Sequence, residues 1–120
     1  NPEDPKNPKA NIKVSKFKLK PNKIKEGESL KIKFELENTG KKALNLLLDY
    51  IIHYPKKNGK LSPKAFRLKS LKLKKGEKIQ IEKEIAFKKV TTRVHYTGQH
   101  IFEIKICDQI FINDKFKLID

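Results

Sequence analysis

In ESLKIKFELEN, Leu30, Ile32, Phe34 and Leu36 alternate strictly with polar residues. Successive side chains of a strand point to opposite faces, so this stretch predicts a half-buried strand. The run from Leu44 to Tyr54 is almost continuously apolar, as expected of a central strand covered on both faces. Ile79, Ile81, Ile85 and Phe87 predict another strand, with a phase change near Lys83 that reads as a bulge. Phe102, Ile104 and Ile106 mark the next strand, and Ile110, Ile112, Phe116 and Leu118 the last. At the front, Ile12, Val14, Phe17 and Leu19 change phase around Ser15-Lys16, like a bulged edge strand. A short strand falls at Phe66 and Leu68, or at Leu71 and Leu73. No window holds a 3.6 period over three turns.

Turn signals separate these stretches at Glu26-Gly27, Asn38-Thr39-Gly40, Asn58-Gly59, Lys75-Gly76 and Thr97-Gly98. The fold class is therefore all-β, an immunoglobulin-like Greek-key sandwich of about seven strands. An internal echo agrees with it. IKEGESLKIKFELEN and LKKGEKIQIEKEIAF share Lys-x-Gly-Glu followed by alternating apolar residues, one local solution used twice.

The 120 residues suit one domain with a small core. Residues 1–9, with three prolines and no large apolar side chain, read as a flexible linker or tail. The sandwich domain then spans 10–120. No apolar run approaches the roughly 20 residues of a membrane span, and no signal peptide is visible, so the expectation is a cytoplasmic monomer with no membrane contact. Cys107, the single cysteine, can form no intramolecular disulfide and is expected as a small buried hydrophobe within IFEIKIC.

The formal charge of +15 points to a polyanion partner. Lys, Ile and Asn also have A/T-rich codons, so part of this charge is attributable to base composition. In a chain that uses Lys almost everywhere, Arg67 and Arg93 stand out, because a planar guanidinium makes bidentate or stacked contacts that an ammonium cannot.

Candidate chemistry concentrates in DYIIHYPKKNGKLSPKAFR, residues 49–67. Asp49 and His53 invite an acid–base reading, but four strand residues rise about 13 Å, so the two cannot touch. His53, His95 and His100 with Asp49 match no zinc spacing. Nothing resembles a nucleophile elbow, a P-loop or a dinucleotide turn. No catalytic residue, metal site or cofactor is expected. Asn58-Gly59 reads as a turn needing positive φ, and Ser62-Pro63 as the start of the next element.

Greek-key topology gathers the loops near 20–27, 55–65 and 88–98 at one pole. His53, His95 and His100 are expected there, with Arg67 and Arg93 at that pole or just below it. The lysines of those loops join them. The opposite pole, near 38–43, 70–76 and 108–109, is expected to be less basic. The candidate nucleic-acid-binding residues are Lys56, Lys57, Lys60, Lys64, Arg67, Lys89, Arg93 and His95, the lysines on phosphates and the arginines in directional contacts. Arg93 and Tyr96 also admit a structural reading, Tyr96 as a tyrosine corner.

The segments DYxxHxxKxNGxxSPKxF at 49–66, LxxGE at 73–77 and VTTRxxYxGxH at 90–100 carry a resemblance. Over about residues 25–118 the chain resembles the domain C-terminal to the helical repeats of bacterial DNA alkylation repair proteins, relatives of the 3-methyladenine glycosylases. The resemblance implies a non-catalytic accessory domain beside DNA repair, because the glycosylase-like work belongs to the helical repeats. DNA is then the expected partner. Docking on its own helical domain or on another protein is the alternative, and an extracytoplasmic adhesion-like module a third option. The chain departs from the pattern at Thr97, where Pro is frequent. It departs again at Asp108-Gln109, where an Asn-Gly turn is usual, and Asn113-Asp114 competes for that turn.

Overall fold

A computed structural model describes residues 10–87 and 97–119. Residues 1–9, the expected linker, lie outside the described residues. Among the described residues eight strands follow one another: β1 (Ile12–Lys20), β2 (Lys23–Lys25), β3 (Ser29–Asn38), β4 (Leu44–Pro55), β5 (Leu61–Leu73), β6 (Lys78–Ala86), β7 (Gly98–Ile106) and β8 (Gln109–Ile119). They form two sheets, β1-β3-β6 and β2-β8-β7-β4-β5. The pairings are antiparallel except β2 with β8, which run parallel. The immunoglobulin-like sandwich read from the alternation is the observed fold. The strand beyond the expected seven is β2, too short at three residues for periodicity to reveal.

The echoed Lys-x-Gly-Glu stretches prove to be one turn built twice. In each, the Glu amide donates to the carbonyl of the residue three before it, Lys25 at 2.9 Å and Lys74 at 3.0 Å. Each Glu carboxylate accepts from the amide of that same lysine, at 2.6 Å for Glu28 and 2.8 Å for Glu77. The third residue has positive φ, 95° at Gly27 and 73° at Gly76, where a Cβ would be strained. The two turns lie at opposite ends of the β3–β6 pair and clasp it. Phe87, just past β6, donates to Glu28 and accepts from Gly27, while Asn38, the last residue of β3, donates to Glu77 and accepts from Gly76.

Between the sheets lies one core. Leu30, Ile32, Phe34 and Leu36 from β3 face Leu48, Ile52, Phe102 and Ile104 from β4 and β7, all buried. Each such side chain contributes about 1.5–3 kcal/mol through area removed from water. Tyr50 lies between Phe66 and Phe102, with ring centroids 5.0 and 6.0 Å away. Burial raises its phenol above the usual 10.0.

Four expectations need correction. The β3–β6 register runs unbroken from Ser29↔Ala86 to Glu37↔Lys78, so there is no bulge at Lys83. Lys83 occupies an apolar-phase position on an edge strand, where its long stem lets the ammonium reach water. β4 is central in its hydrogen bonding but covered on one face alone. Leu46, Leu48, Tyr50 and Ile52 point inward, whereas Asn45, Leu47, Asp49, Ile51 and His53 form part of an outer face, with Leu47 46% exposed. β5 is one strand of 13 residues, because Pro63 sits on a sheet edge where no donor is required. Its register slips once, with Leu68 as the extra residue opposite Leu48-Asp49. Cys107 is half-buried rather than core. With Asp108 it forms the two-residue turn between β7 and β8, both at positive φ (46° and 70°), and Asn113-Asp114 lies within β8. The bulge read at Ser15-Lys16 is present, with Lys16 at φ 55° and a register shift before Lys18.

Asn38 is completely buried and ties the end of β3 to its surroundings. Its Nδ2 donates to the carbonyls of Lys42 (2.8 Å) and Leu73 (3.1 Å), and its Oδ1 accepts from the Gly40 amide (2.9 Å). Asn38→Ala should cost about 2–3 kcal/mol in urea unfolding, since it strands buried partners. Alkaline titration has a defined sign. The raised Tyr50 pKa gives a contribution fully present below pH 10.0 and lost as pH climbs through the folded-state value. Stability measured above pH 10 should therefore fall, and Tyr50→Phe should flatten the part of that fall due to this phenol.

Candidate nucleic-acid interface

The β4–β5 hairpin ends in a tight turn. The Gly59 amide donates to the Lys56 carbonyl (2.9 Å) and the Lys56 amide to the Lys60 carbonyl (2.7 Å), with Gly59 at φ 82°. A type I turn closed by a left-handed glycine gives this pattern. The Asn58 side chain adds a bond from the Lys60 amide at 3.0 Å. The tip thus holds Lys56, Lys57 and Lys60 exposed together on a short rigid loop, as the loop composition led one to expect.

Lys64 and Arg67 do not join them. Lys64 pairs in register with inward-facing Ile52 and places its Nζ 5.5 Å from the centre of the Phe66 ring. Arg67 pairs with Asp49 on the opposite, outer face, about 20 Å down the strand from Leu61 at some 3.3 Å per residue. Its Nε donates to Asp49 Oδ1 at 2.6 Å, so Arg67 belongs to the sheet surface rather than to the pole. Lys89, Arg93, His95 and Tyr96 lie outside the described residues.

The histidines separate as well. His53 is on the outer face, its Nε2 2.5 Å from Glu103 Oε1, and Glu103 Oε2 also accepts from Asn113 Nδ2 at 3.1 Å. His100 points the other way and is fully buried. It stacks on Phe116 (4.9 Å) and meets Tyr54 and Phe87 edge-on (5.5 and 6.3 Å), with Nδ1 donating to the Gly98 carbonyl at 3.0 Å. It is a core histidine beneath the pole, because adjacent strand positions of opposite parity cannot share a face. Asp49 and His53 each bind a partner on a neighbouring strand.

Three features were not anticipated. The far pole is also charged, with Lys41, Lys42, Lys74 and Lys75 exposed. The outer face of the three-stranded sheet carries Lys18 and Lys20 on β1 directly opposite Lys33 and Lys31 on β3. The alternation in KFKLK and KIK places these lysines on the solvent face, but pairing register cannot be read from one sequence. Near the far end of the other sheet, Asn45, Leu47, Arg67, Ser70, Lys72 and Cys107 border a shallow groove.

An eight-stranded immunoglobulin-like sandwich with polar side-chain pairs on its open sheet face and exposed lysines beyond them defines the class. More narrowly, residues 13–120 match the family described as "Uncharacterised protein YhaZ, C-terminal Ig-like domain", and the chain belongs to that family. No curated protein matches it in sequence. Among solved structures it is similar to an alkylpurine DNA glycosylase, AlkC, from Pseudomonas fluorescens, solved bound to DNA containing an abasic site analog. Identity is 30% with a TM-score of 0.85, over 90% of this chain and 30% of that one. The chain therefore spans under a third of that protein's length. A β-glucosidase from Erythrobacter marinus (12% identity, TM-score 0.72, 90% of this chain and 15% of that one) shares the fold. So does a β-glucosidase from Listeria innocua (14%, 0.69, 91% and 16%).

The Arg67–Asp49 pair is half-exposed on its Arg side and should be worth little. Arg67→Ala is expected to shift unfolding stability by less than about 1 kcal/mol in a denaturant titration.

Proposed function

We propose that this chain is a non-catalytic accessory domain of a DNA alkylation repair-type protein, helping to hold or orient DNA through its basic hairpin tip. The observation that carries the reading is the 30% identity, over 90% of the chain, to a glycosylase solved on DNA. The tip supports it. Lys56, Lys57 and Lys60 are exposed, close together and fixed by three hydrogen bonds, so little ordering entropy is lost from the loop backbone when they meet phosphates. Arg67 keeps its terminal nitrogens for a directional contact only on the outer sheet face. Lys89, Arg93 and His95 complete the proposed set from the segment between β6 and β7. Asp49 is held by Arg67 and His53 is hydrogen-bonded to Glu103 on an open sheet face, which suits a scaffold better than a reaction centre.

Docking on a helical domain or another protein is the second reading. The groove beside exposed Leu47 favours it. Leu47 and Leu61, the exposed large hydrophobics among the described residues, are far apart along the hairpin, and single exposed leucines are ordinary on a monomer surface.

Duplex binding measured at several salt concentrations tests the DNA reading. A negative log–log slope is expected, because phosphate neutralisation releases counterions, and a slope near zero sinks the proposal. Replacing Lys56, Lys57 and Lys60 with Gln should reduce the slope by about 2–3, at roughly 0.9 per phosphate contact.

A further inference from the structure

Three lysine pairs stand directly opposite one another across strand pairings: Lys18 with Lys33, Lys20 with Lys31, and Lys23 with Lys117. All six side chains are exposed. The first two pairs lie on the outer face of the three-stranded sheet. The third lies where β2 joins β8 in the other sheet. The first two pairs stand side by side as one band, and only Pro21 and Asn22 separate β1 from β2, so the third pair continues it along the chain into the other sheet.

This arrangement is unfavourable in isolation. Directly opposed residues stand about 5 Å apart at Cβ, and like charges there repel. Other charges of the domain are matched: Lys16 with Glu35 at 3.4 Å on the same sheet, and Arg67 with Asp49 and Lys105 with Asp108 (3.7 Å) on the other sheet. Among the described residues no ion pair involves any of the six band lysines. Glu84 and Glu82 are in register with Lys31 and Lys33, yet Glu82 is bonded by Gln80 Nε2 at 2.7 Å instead. A depression of about 520 Å³ is bounded by Lys18, Lys20, Lys31 and Lys33 on one side and by the β6 carboxylates on the other. Base composition accounts for many lysines. It is blind to strand register and does not explain three directly opposed pairs whose lysines, among the described residues, form no ion pair.

We propose that this band is a second DNA-contacting surface, which takes the phosphate backbone of a duplex alongside the hairpin tip. The inference rests on the DNA reading above. Point-charge ammonium groups in rows suit backbone neutralisation rather than base readout, and bound phosphates would relieve the repulsion that the free band carries.

The test uses the full chain, a 20-base-pair DNA duplex of arbitrary sequence and a salt series. In the band variant, Lys18, Lys20, Lys31 and Lys33 become Gln. In the tip variant, Lys56, Lys57 and Lys60 become Gln. In a charge-matched control, Lys69, Lys72, Lys74 and Lys75 become Gln. The band variant is expected to lose up to about 3.6 of the log–log slope, at roughly 0.9 per contact, and the control little. Its thermal midpoint should stay close to that of the unmodified chain, since the lost Lys–Lys repulsion offsets the lost Glu82 and Glu84 neighbours, so lost binding would not be lost folding. Should it nevertheless unfold, the Lys20→Gln and Lys31→Gln double variant reads the same effect at about half the slope change. A band variant with wild-type slope beside a weakened tip variant overturns the band and keeps the tip. Equal losses in the band and control variants also overturn it, because net charge alone would then set binding. A tip variant that binds like wild type while the band variant fails supports the band and removes the tip. Salt-independent binding by the unmodified chain overturns both.

Discussion

The β3–β6 pair, clasped at both ends by the same glycine turn, is the constraint from which the rest of this sandwich follows. Strand register is the one quantity that a sheet cannot get slightly wrong, since a slip of one residue sends every apolar side chain to solvent. Here the register is pinned twice, by Gly27-Glu28 against Phe87 and by Gly76-Glu77 against Asn38. With β3 and β6 fixed, Phe87 is delivered to the aromatic cluster around His100, and Asn38 to the carbonyls of Lys42 and Leu73. Both connections leave the three-stranded sheet and reach the neighbourhood of the five-stranded one. The clasp therefore sets not only one strand pair but also how the two layers meet.

The alternating segments could be read directly because exposure and burial alternate with the strand period wherever one face meets the core. That covers β3, β6 and most of β7 and β8. Reading failed where another force set the pattern. Lys83 takes an inward phase because an edge gives its ammonium a way out, so parity looked broken when the register was intact. The continuous apolar run of β4 came from Leu47 and Ile51 on an outer face that also holds Asp49 and His53, so hydrophobicity overstated its burial. β5 looked short because Pro63 and Lys64 resemble a loop until the strand is known to lie at an edge.

The candidate site was legible to the extent that it is local. The tip lysines are contiguous in sequence and remain together in space. Arg67, Lys64 and the histidines were scattered by strand parity, which assigns neighbours along the chain to opposite faces. The band of opposed lysines is the reverse case, since it arises from pairing between distant segments. Charge in this domain is thus better described by register than by pole. Composition tells how many ammonium groups there are, whereas the ladder decides which of them must tolerate one another.

β5 has a consequence outside recognition. Among the described residues its far side pairs with nothing along 13 residues, a length of open backbone on which a strand from another molecule could assemble. Pro63 offers no amide there, the extra residue at Leu68 bends the ladder, and Lys64 and Lys69 stand at inward-phase positions where an added strand would have to desolvate them. Lysines at these positions therefore also act as a barrier to polymerisation along this edge.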